Sequence, residues 1–173
     1  MIIENEVKYR VKDLKKIKEK IKESNFLFSE SYAQCDYYFS PPHKSFAGTR
    51  KYYLRLRKQG NEGIFAYHVV KNNLQTIELE SRINDFKNFF KILKLLNFKL
   101  DCIVEKKREV YKNGKITLML DEVKRLGSFI EIEYCGTMTK GIKTEFKKMI
   151  SFLNLMEKDI ISGVGYPDLL MNK

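Results

Sequence analysis

Histidine and cysteine are scarce in this chain of 173 residues, which has two of the first and three of the second. Cys35, Cys102 and Cys135 lie far apart, are odd in number and show no CxxC spacing. The histidines, His43 and His68, have no partner at metal-ligand spacing. These absences argue against a zinc site and against a disulfide framework, and they predict reduced thiols in a cytoplasmic protein. Long apolar runs are also missing. None approaches the roughly 18 residues of a membrane helix, and the first residues lack the basic segment and apolar run of a secretory leader. No membrane is expected as a partner. No repeat of solenoid length and no linker divides the chain, so a single domain over residues 1–173 is expected. Regular βαβ alternation is absent as well, which predicts a mostly antiparallel sheet.

Positive charge is abundant: 33 Lys and Arg against 22 Asp and Glu give a net charge of +11. Such a chain favours anionic partners. The lysines are spread over helices, and no aromatic-basic stacking signature of an RNA-recognition motif is present, so nucleic acid is disfavoured among those anions.

Hydrophobic periodicity predicts eight strands and three helices. Val11, Leu14, Ile17 and Ile21 mark an amphipathic helix whose lysines form a wet face, ending near Ser24-Asn25. A strand at 3–9 precedes it. Strands follow at 32–39, 52–58, 64–70 and 76–81. The first of these is broken by Ser40-Pro41-Pro42-His43, with a loop through Gly48-Thr49 and an exposed His43. Turns are expected at Gly60-Asn61-Glu62-Gly63 and Asn72-Asn73. Phe86, Phe89, Phe90, Leu93 and Leu96 mark a second helix, capped by Asn84-Asp85, and read as core packing. Further strands are predicted at 104–112, 115–123 and 129–135, with Asn113-Gly114 as a two-residue hairpin turn. A third helix is expected over 140–155, and then a tail.

One pattern recurs through the strands. Residues two apart on a strand share a face. Glu4, Glu6 and Lys8 therefore point one way, as do Arg55 and Arg57, Glu78 and Glu80, Lys106 and Arg108, and Asp121 with Glu131 and Glu133 on the last hairpin. The intervening Leu54, Leu56, Leu79, Leu118, Leu120, Ile130 and Ile132 require a core on the other face. A solvated sheet face with cross-strand ion pairs would explain any single pair. A closed sheet wide enough to hold water and an anion explains the whole set. Seven carboxylates at such density call for divalent metal ions. Oxygen ligands without His or Cys suit Mg²⁺ or Mn²⁺. The neighbouring Arg and Lys suit phosphate oxygens.

These residues resemble a known family. Glu4-x-Glu6-x-Lys8 is similar to the ExExK signature of the CYTH, or triphosphate tunnel metalloenzyme, superfamily. Gln34-Cys35-Asp36-Tyr37-Tyr38-Phe39, Leu54-Arg55-Leu56-Arg57, Glu78-Leu79-Glu80 and Lys106-Lys107-Arg108 resemble its strands in order. So does Leu120-Asp121-Glu122-Val123 followed by Leu126-Gly127-Ser128-Phe129-Ile130-Glu131-Ile132-Glu133. The ending Tyr166-Pro167-Asp168-Leu169-Leu170 resembles the close of the class IV adenylyl cyclase branch. The resemblance implies an α+β fold: an eight-stranded antiparallel closed β-barrel, the triphosphate tunnel, with flanking helices. It implies Mg²⁺ or Mn²⁺ held by Glu4, Glu6, Asp121, Glu131 and Glu133. It implies ATP or another triphosphate held by Lys8, Arg55, Arg57, His68, Lys106 and Arg108. Glu4, Glu6, Lys8, Lys106 and Arg108 are the implied catalytic set, and Glu78 and Glu80 are further lumen acids. The chain departs from the branch at His68, where a lysine is expected, and at Thr76, where an arginine is expected. Lys71 is placed to reach in from the strand end.

The activity implied is cyclisation of ATP to cyclic AMP and pyrophosphate. The motifs equally fit a metal-dependent hydrolase of tripolyphosphate or thiamine triphosphate, and a non-catalytic triphosphate- or RNA-binding barrel remains a third reading. A homodimer is compatible with all three.

Overall fold

The computed structural model describes residues 2–46, 51–60, 62–72, 75–137 and 139–172, with residues 2–4 described by their backbone alone. The expected turn residues Gly48, Thr49, Asn61 and Asn73 and the side chain of Glu4 lie outside the described residues. The elements are β1 (Ile2–Val11), α1 (Leu14–Lys22), β2 (Leu27–Ser40), β3 (Tyr52–Gln59), β4 (Glu62–Asn72), β5 (Gln75–Ile83), α2 (Phe86–Leu95), β6 (Lys99–Asn113), β7 (Ile116–Val123), β8 (Gly127–Cys135), α3 (Lys140–Phe152), β9 (Ile160–Ile161) and α4 (Tyr166–Met171).

The strands form one antiparallel sheet in the order β5-β4-β3-β2-β6-β7-β8-β1-β9. An additional β5–β1 pairing closes it into an eight-stranded barrel. That closure uses only the first half of β1, with Ile2 opposite Glu78 and Asn5 opposite Gln75. Asn5 fastens the seam: its amide oxygen accepts from Gln75 Nε2 at 3.1 Å, and its Nδ2 donates to the carbonyl of Gly136 at 2.5 Å. Beyond Asn5 the edge of β1 is taken by β9, with Lys8 opposite Ile161. The C-terminal segment therefore covers the part of the seam that β5 leaves open.

The outward faces carry the expected apolar residues, and helices cover most of them. Val7, Tyr9, Leu118, Leu120, Ile130 and Ile132 pack against Leu14, Ile17 and Ile21 of α1 and Phe146 of α3. Each such side chain contributes about 1.5–3 kcal/mol when removed from water. On the opposite side, α2 lays Phe86, Phe89, Phe90 and Leu93 over Phe39, Leu56 and Phe65. Leu79 is the exception. It was expected in a core but is 53% exposed, because α2 packs on β5 only at its end, against Ile83. Leu96 also leaves the predicted stripe: it follows the end of α2 and is exposed.

Helix ends follow local chemistry. Asp13 caps α1 by accepting from the backbone N–H of Lys15 at 2.9 Å, so Val11 belongs to β1 instead of the helix. Asp85 caps α2 as expected, accepting from Asn88 N–H at 3.0 Å. The third helix stops at Phe152, three residues before the predicted end, because Asn154 turns to φ 55 and closes it. The hairpin turn predicted at Asn113-Gly114 forms one residue later, on Gly114-Lys115, with Asn113 paired to Ile116 and Gly114 at φ 57. The tail forms a 3₁₀ turn at Glu157–Asp159, then β9 and α4. Among the described residues no helix is long and apolar enough to cross a membrane.

Candidate active site

The barrel interior has two parts. On β6, β7 and β8 the inward positions first carry Val104, Val123 and Phe129, which join Leu126 and Tyr166 in an apolar plug. The ionic pattern of the strands therefore stops at this end. Further along the same faces the residues become ionic and line a cavity of about 250 Å³. Strand alternation delivers Glu6 and Lys8 from β1, Arg55 and Arg57 from β3, His68 from β4, Glu78 and Glu80 from β5, Lys106 and Arg108 from β6, and Glu131 and Glu133 from β8. The structure thus brings together the predicted residues whose side chains it describes, with one difference in depth. Asp121 does not line the cavity. It stands fully buried behind Arg108.

The β6–β8 wall is a closed ionic network. Arg108 Nε donates to Asp121 Oδ1 at 2.7 Å, and its Nη2 donates to Asp121 Oδ2 at 2.5 Å and Glu131 Oε2 at 2.6 Å. Tyr166 donates its hydroxyl to Asp121 Oδ2 at 2.8 Å. Both Asp121 oxygens are occupied, so this carboxylate is placed to fix the guanidinium. Lys8 Nζ sits 3.0 Å from Glu131 and 3.6 Å from Glu6, and 4.5 Å from the centroid of the Tyr166 ring. Burial alone would push the Lys8 ammonium pKa down, but Glu131 and Glu6 outweigh it and hold the group charged. Burial likewise opposes the Glu131 carboxylate, and Arg108 and Lys8 more than reverse it, holding its pKa well below the usual range.

Glu6 and Glu133 differ from these. They are directly opposite each other on β1 and β8. Lys8 pulls the Glu6 pKa down, yet burial and repulsion from Glu131 leave it raised. Burial raises Glu133, and Glu131 and Glu6 add to the rise. Two carboxylates short of positive charge, offering only oxygen, fit a hard divalent cation. A cation at that end would be held by Glu6 and Glu133, beside Glu131.

On the other wall Arg57 grips Asp36 through two hydrogen bonds, at 2.6 and 2.9 Å. Arg55 Nη2 lies 2.8 Å from Glu80 and 3.6 Å from Glu78. His68 Nδ1 lies 2.5 Å from Glu78 Oε1. Burial, reinforced by Arg55, lowers the His68 pKa to about 4, so the imidazole is neutral and donates to a Glu78 carboxylate whose own pKa falls to about 2. Lys106 projects between the walls, 3.8 Å from Asp121 and 4.0 Å from Asp36. Burial and the nearby Arg108 lower its pKa to about 8.

Four residues of the site were not assigned by sequence. Asp36 and Tyr38 alternate with Cys35 and Tyr37 on β2, so the period-two pattern was sufficient to find them. Tyr53 bonds Asp168, and Tyr166 arrives from the tail, about 45 residues beyond its partner Asp121. No local signal announces either contact. Lys71 does not reach in: it is exposed, while its neighbours Val70 and Asn72 line the cavity. His43 is exposed, as expected.

The family model of the CYTH domain matches residues 3–164. The chain belongs to the CYTH family. Among its relatives, this CYTH chain is 32% identical over 166 residues to the Methanocaldococcus jannaschii protein named "Putative adenylate cyclase MJ0240", covering 92% of this chain and 94% of that one. The PH1012 protein of Pyrococcus horikoshii superposes with a TM-score of 0.82 at 29% identity, over 96% of this chain and 98% of that one. The Hippeastrum protein HpAC1, described as having a dominant triphosphatase activity, shares the fold at a TM-score of 0.65 and 14% identity, over 90% and 89% of the two chains. The CYTH domain is a metal-using enzyme fold that takes triphosphates, and this chain is an enzyme of the cyclase or triphosphatase type.

Proposed function

We propose that this CYTH protein is a class IV adenylyl cyclase, converting ATP to cyclic AMP and pyrophosphate with Mg²⁺ or Mn²⁺. The observation that carries the reading is the convergence of Lys8, Arg55, Arg57, Lys106 and Arg108 on one cavity edged by Glu6 and Glu133. A triphosphate is the small anion dense enough in charge to use all five. The name of the Methanocaldococcus relative supports the cyclase over other triphosphate chemistry.

In this reading the guanidinium groups of Arg55, Arg57 and Arg108 hold phosphate oxygens as fixed forks. Asp36 and Asp121 orient two of those forks from behind, so their alignment is set before substrate arrives. Lys8 and Lys106 add ammonium charge close to the Tyr166 ring. A divalent ion held by Glu4, Glu6, Glu131 and Glu133 would neutralise phosphate oxygens and acidify the ribose 3′-hydroxyl. The 3′-oxygen forms its bond to the α-phosphorus as the bond to the departing pyrophosphate breaks, and the hydroxyl proton passes to solvent. Arg108 and Lys106 stabilise the charge that grows on the leaving group.

A second reading keeps the site and makes water the nucleophile at the terminal phosphorus. His68 favours it: a neutral imidazole stands where the cyclase branch carries a cation, which weakens the grip that cyclisation needs. Product analysis decides. Purified protein with ATP and Mn²⁺ is expected to yield cyclic AMP and pyrophosphate between neutral and alkaline pH. Inorganic phosphate without cyclic product overturns the cyclase in favour of hydrolysis, and no turnover of ATP or tripolyphosphate overturns both.

A further inference from the structure

Lys8 and Lys106 line the same cavity but are held differently. Lys8 has a close carboxylate, Glu131 at 3.0 Å. Lys106 has none: Asp121 stands 3.8 Å away and Asp36 4.0 Å, both beyond hydrogen-bond reach. The reason lies with the acceptors. Both oxygens of Asp36 are engaged by Arg57. The Asp121 oxygen nearest Lys106 is Oδ2, and its lone pairs already accept from Arg108 Nη2 at 2.5 Å and the Tyr166 hydroxyl at 2.8 Å. Left without a carboxylate at contact distance, the Lys106 ammonium lies 5.1 Å from the centroid of the Tyr166 ring.

Several contacts fix Tyr166 in that position. It is 4% exposed and packs edge-on against Phe129, with ring centroids 5.0 Å apart. Two residues on, the fully buried Asp168 accepts from the Gly165 N–H at 3.0 Å and from the Tyr53 hydroxyl. Burial and the carboxylates of Glu131 and Asp121 hold the phenol pKa well above its usual value, so the hydroxyl keeps its proton and donates. The plug of Val104, Val123, Leu126 and Phe129 asks only for an apolar ring at this place. The hydroxyl needs a separate explanation.

We propose that Tyr166 is a positioning residue for phosphate binding: its hydroxyl closes Asp121 to Lys106, and its ring holds the Lys106 ammonium where it can turn to a phosphate. A lysine locked onto a carboxylate must break that pair before it meets an anion, whereas one resting on a ring is already poised. The C-terminal segment thereby sets how much of the cavity's positive charge is available. This inference deepens the proposed function and rests on its triphosphate reading.

The test uses the full-length protein and tripolyphosphate, with affinity measured by calorimetry at neutral pH, with and without Mg²⁺. Tyr166→Phe keeps the ring and removes the hydroxyl. Lys106 can then close on the freed lone pair of Asp121, and affinity is expected to fall about tenfold, the cost of parting a charge-assisted pair. In a Lys106→Met background the same change should alter affinity by no more than about twofold. A purely packing role predicts that Tyr166→Phe binds as the unmodified protein does, and a general loosening of the plug predicts equal losses in both backgrounds. Either result overturns the inference. Heteronuclear NMR of the ligand-free protein gives a second reading. The Lys106 ammonium signal, identified by its loss in Lys106→Met, is expected to shift in Tyr166→Phe, and a signal that stays in place also overturns the inference. Failure of the unmodified protein to bind tripolyphosphate defeats the proposed function, whereas binding that Tyr166→Phe leaves unchanged defeats the role of Tyr166 alone.

Discussion

On the β6–β8 wall Arg108, Asp121 and Glu131 are all under 9% exposed and their main polar atoms are paired with one another or with Tyr166. On the β3–β5 wall Glu80 keeps 40% of its side-chain exposure, His68 has an unpaired nitrogen, and the outer face shows Leu79 to solvent. Both walls use the same residue types at the same period. What separates them is the layer behind. Two helices and the tail cover the first, so its charges are desolvated and must neutralise one another. The second has α2 behind β3 and β4 but leaves Leu79 of β5 bare, and there Glu80 stays open to water.

The largest effect that tests this contrast is the loss of a wall arginine. Arg108→Met strands Asp121 in the interior, and urea denaturation is expected to show a loss of about 3–5 kcal/mol. Arg55→Met leaves Glu78 with His68 and Glu80 with water, and a smaller loss of about 1–3 kcal/mol is expected. Equal losses would end the distinction between the walls. The outer faces provide the next test. Leu118→Ala, under two helices, is expected to cost about 2–5 kcal/mol, while Leu79→Ala should stay within about 0.5 kcal/mol. A large cost at Leu79 would mean that something covers β5 in solution.

The third test concerns Lys106, which stands between the walls. Its folded pKa of about 8 lies below the ordinary 10.5. The ammonium is therefore present below 8 and lost as pH rises through that value. Tripolyphosphate affinity, measured by calorimetry, should fall above that point by up to roughly tenfold per pH unit. Lys106→Arg should flatten the fall. Between about 8 and 10.5 the unfolded chain binds the proton that the folded chain has released, so the contribution of Lys106 to stability rises with pH across that window. A pH-independent affinity in the unmodified protein would show that Lys106 does not meet the phosphates.

Much of the site was legible because strand periodicity is local. Arg55 and Arg57, or Glu131 and Glu133, must share a face whatever the rest of the chain does, and the apolar residues between them must face a core. The same rule places Asp36 and Tyr38. The helix caps at Asp85 and the turn at Gly114 were equally local. Periodicity does not report depth along the barrel. It could not say that Val104, Val123 and Phe129 plug one end, nor that Asp121 retreats behind Arg108 while Glu133 stays open to the cavity.

The amino-acid order by itself determined the strands, their faces and the assembly of opposite charges on one side of a sheet, because side-chain alternation follows from backbone geometry alone. Only the tertiary structure decided which charge meets which. Asn5 with Gln75, Tyr53 with Asp168, and Tyr166 with Asp121 are contacts between distant segments. They exist because the barrel closes on half of β1 and the tail seals the rest. Desolvation, which sets whether a carboxylate is paired or still wanting a cation, depends on what packs behind each strand.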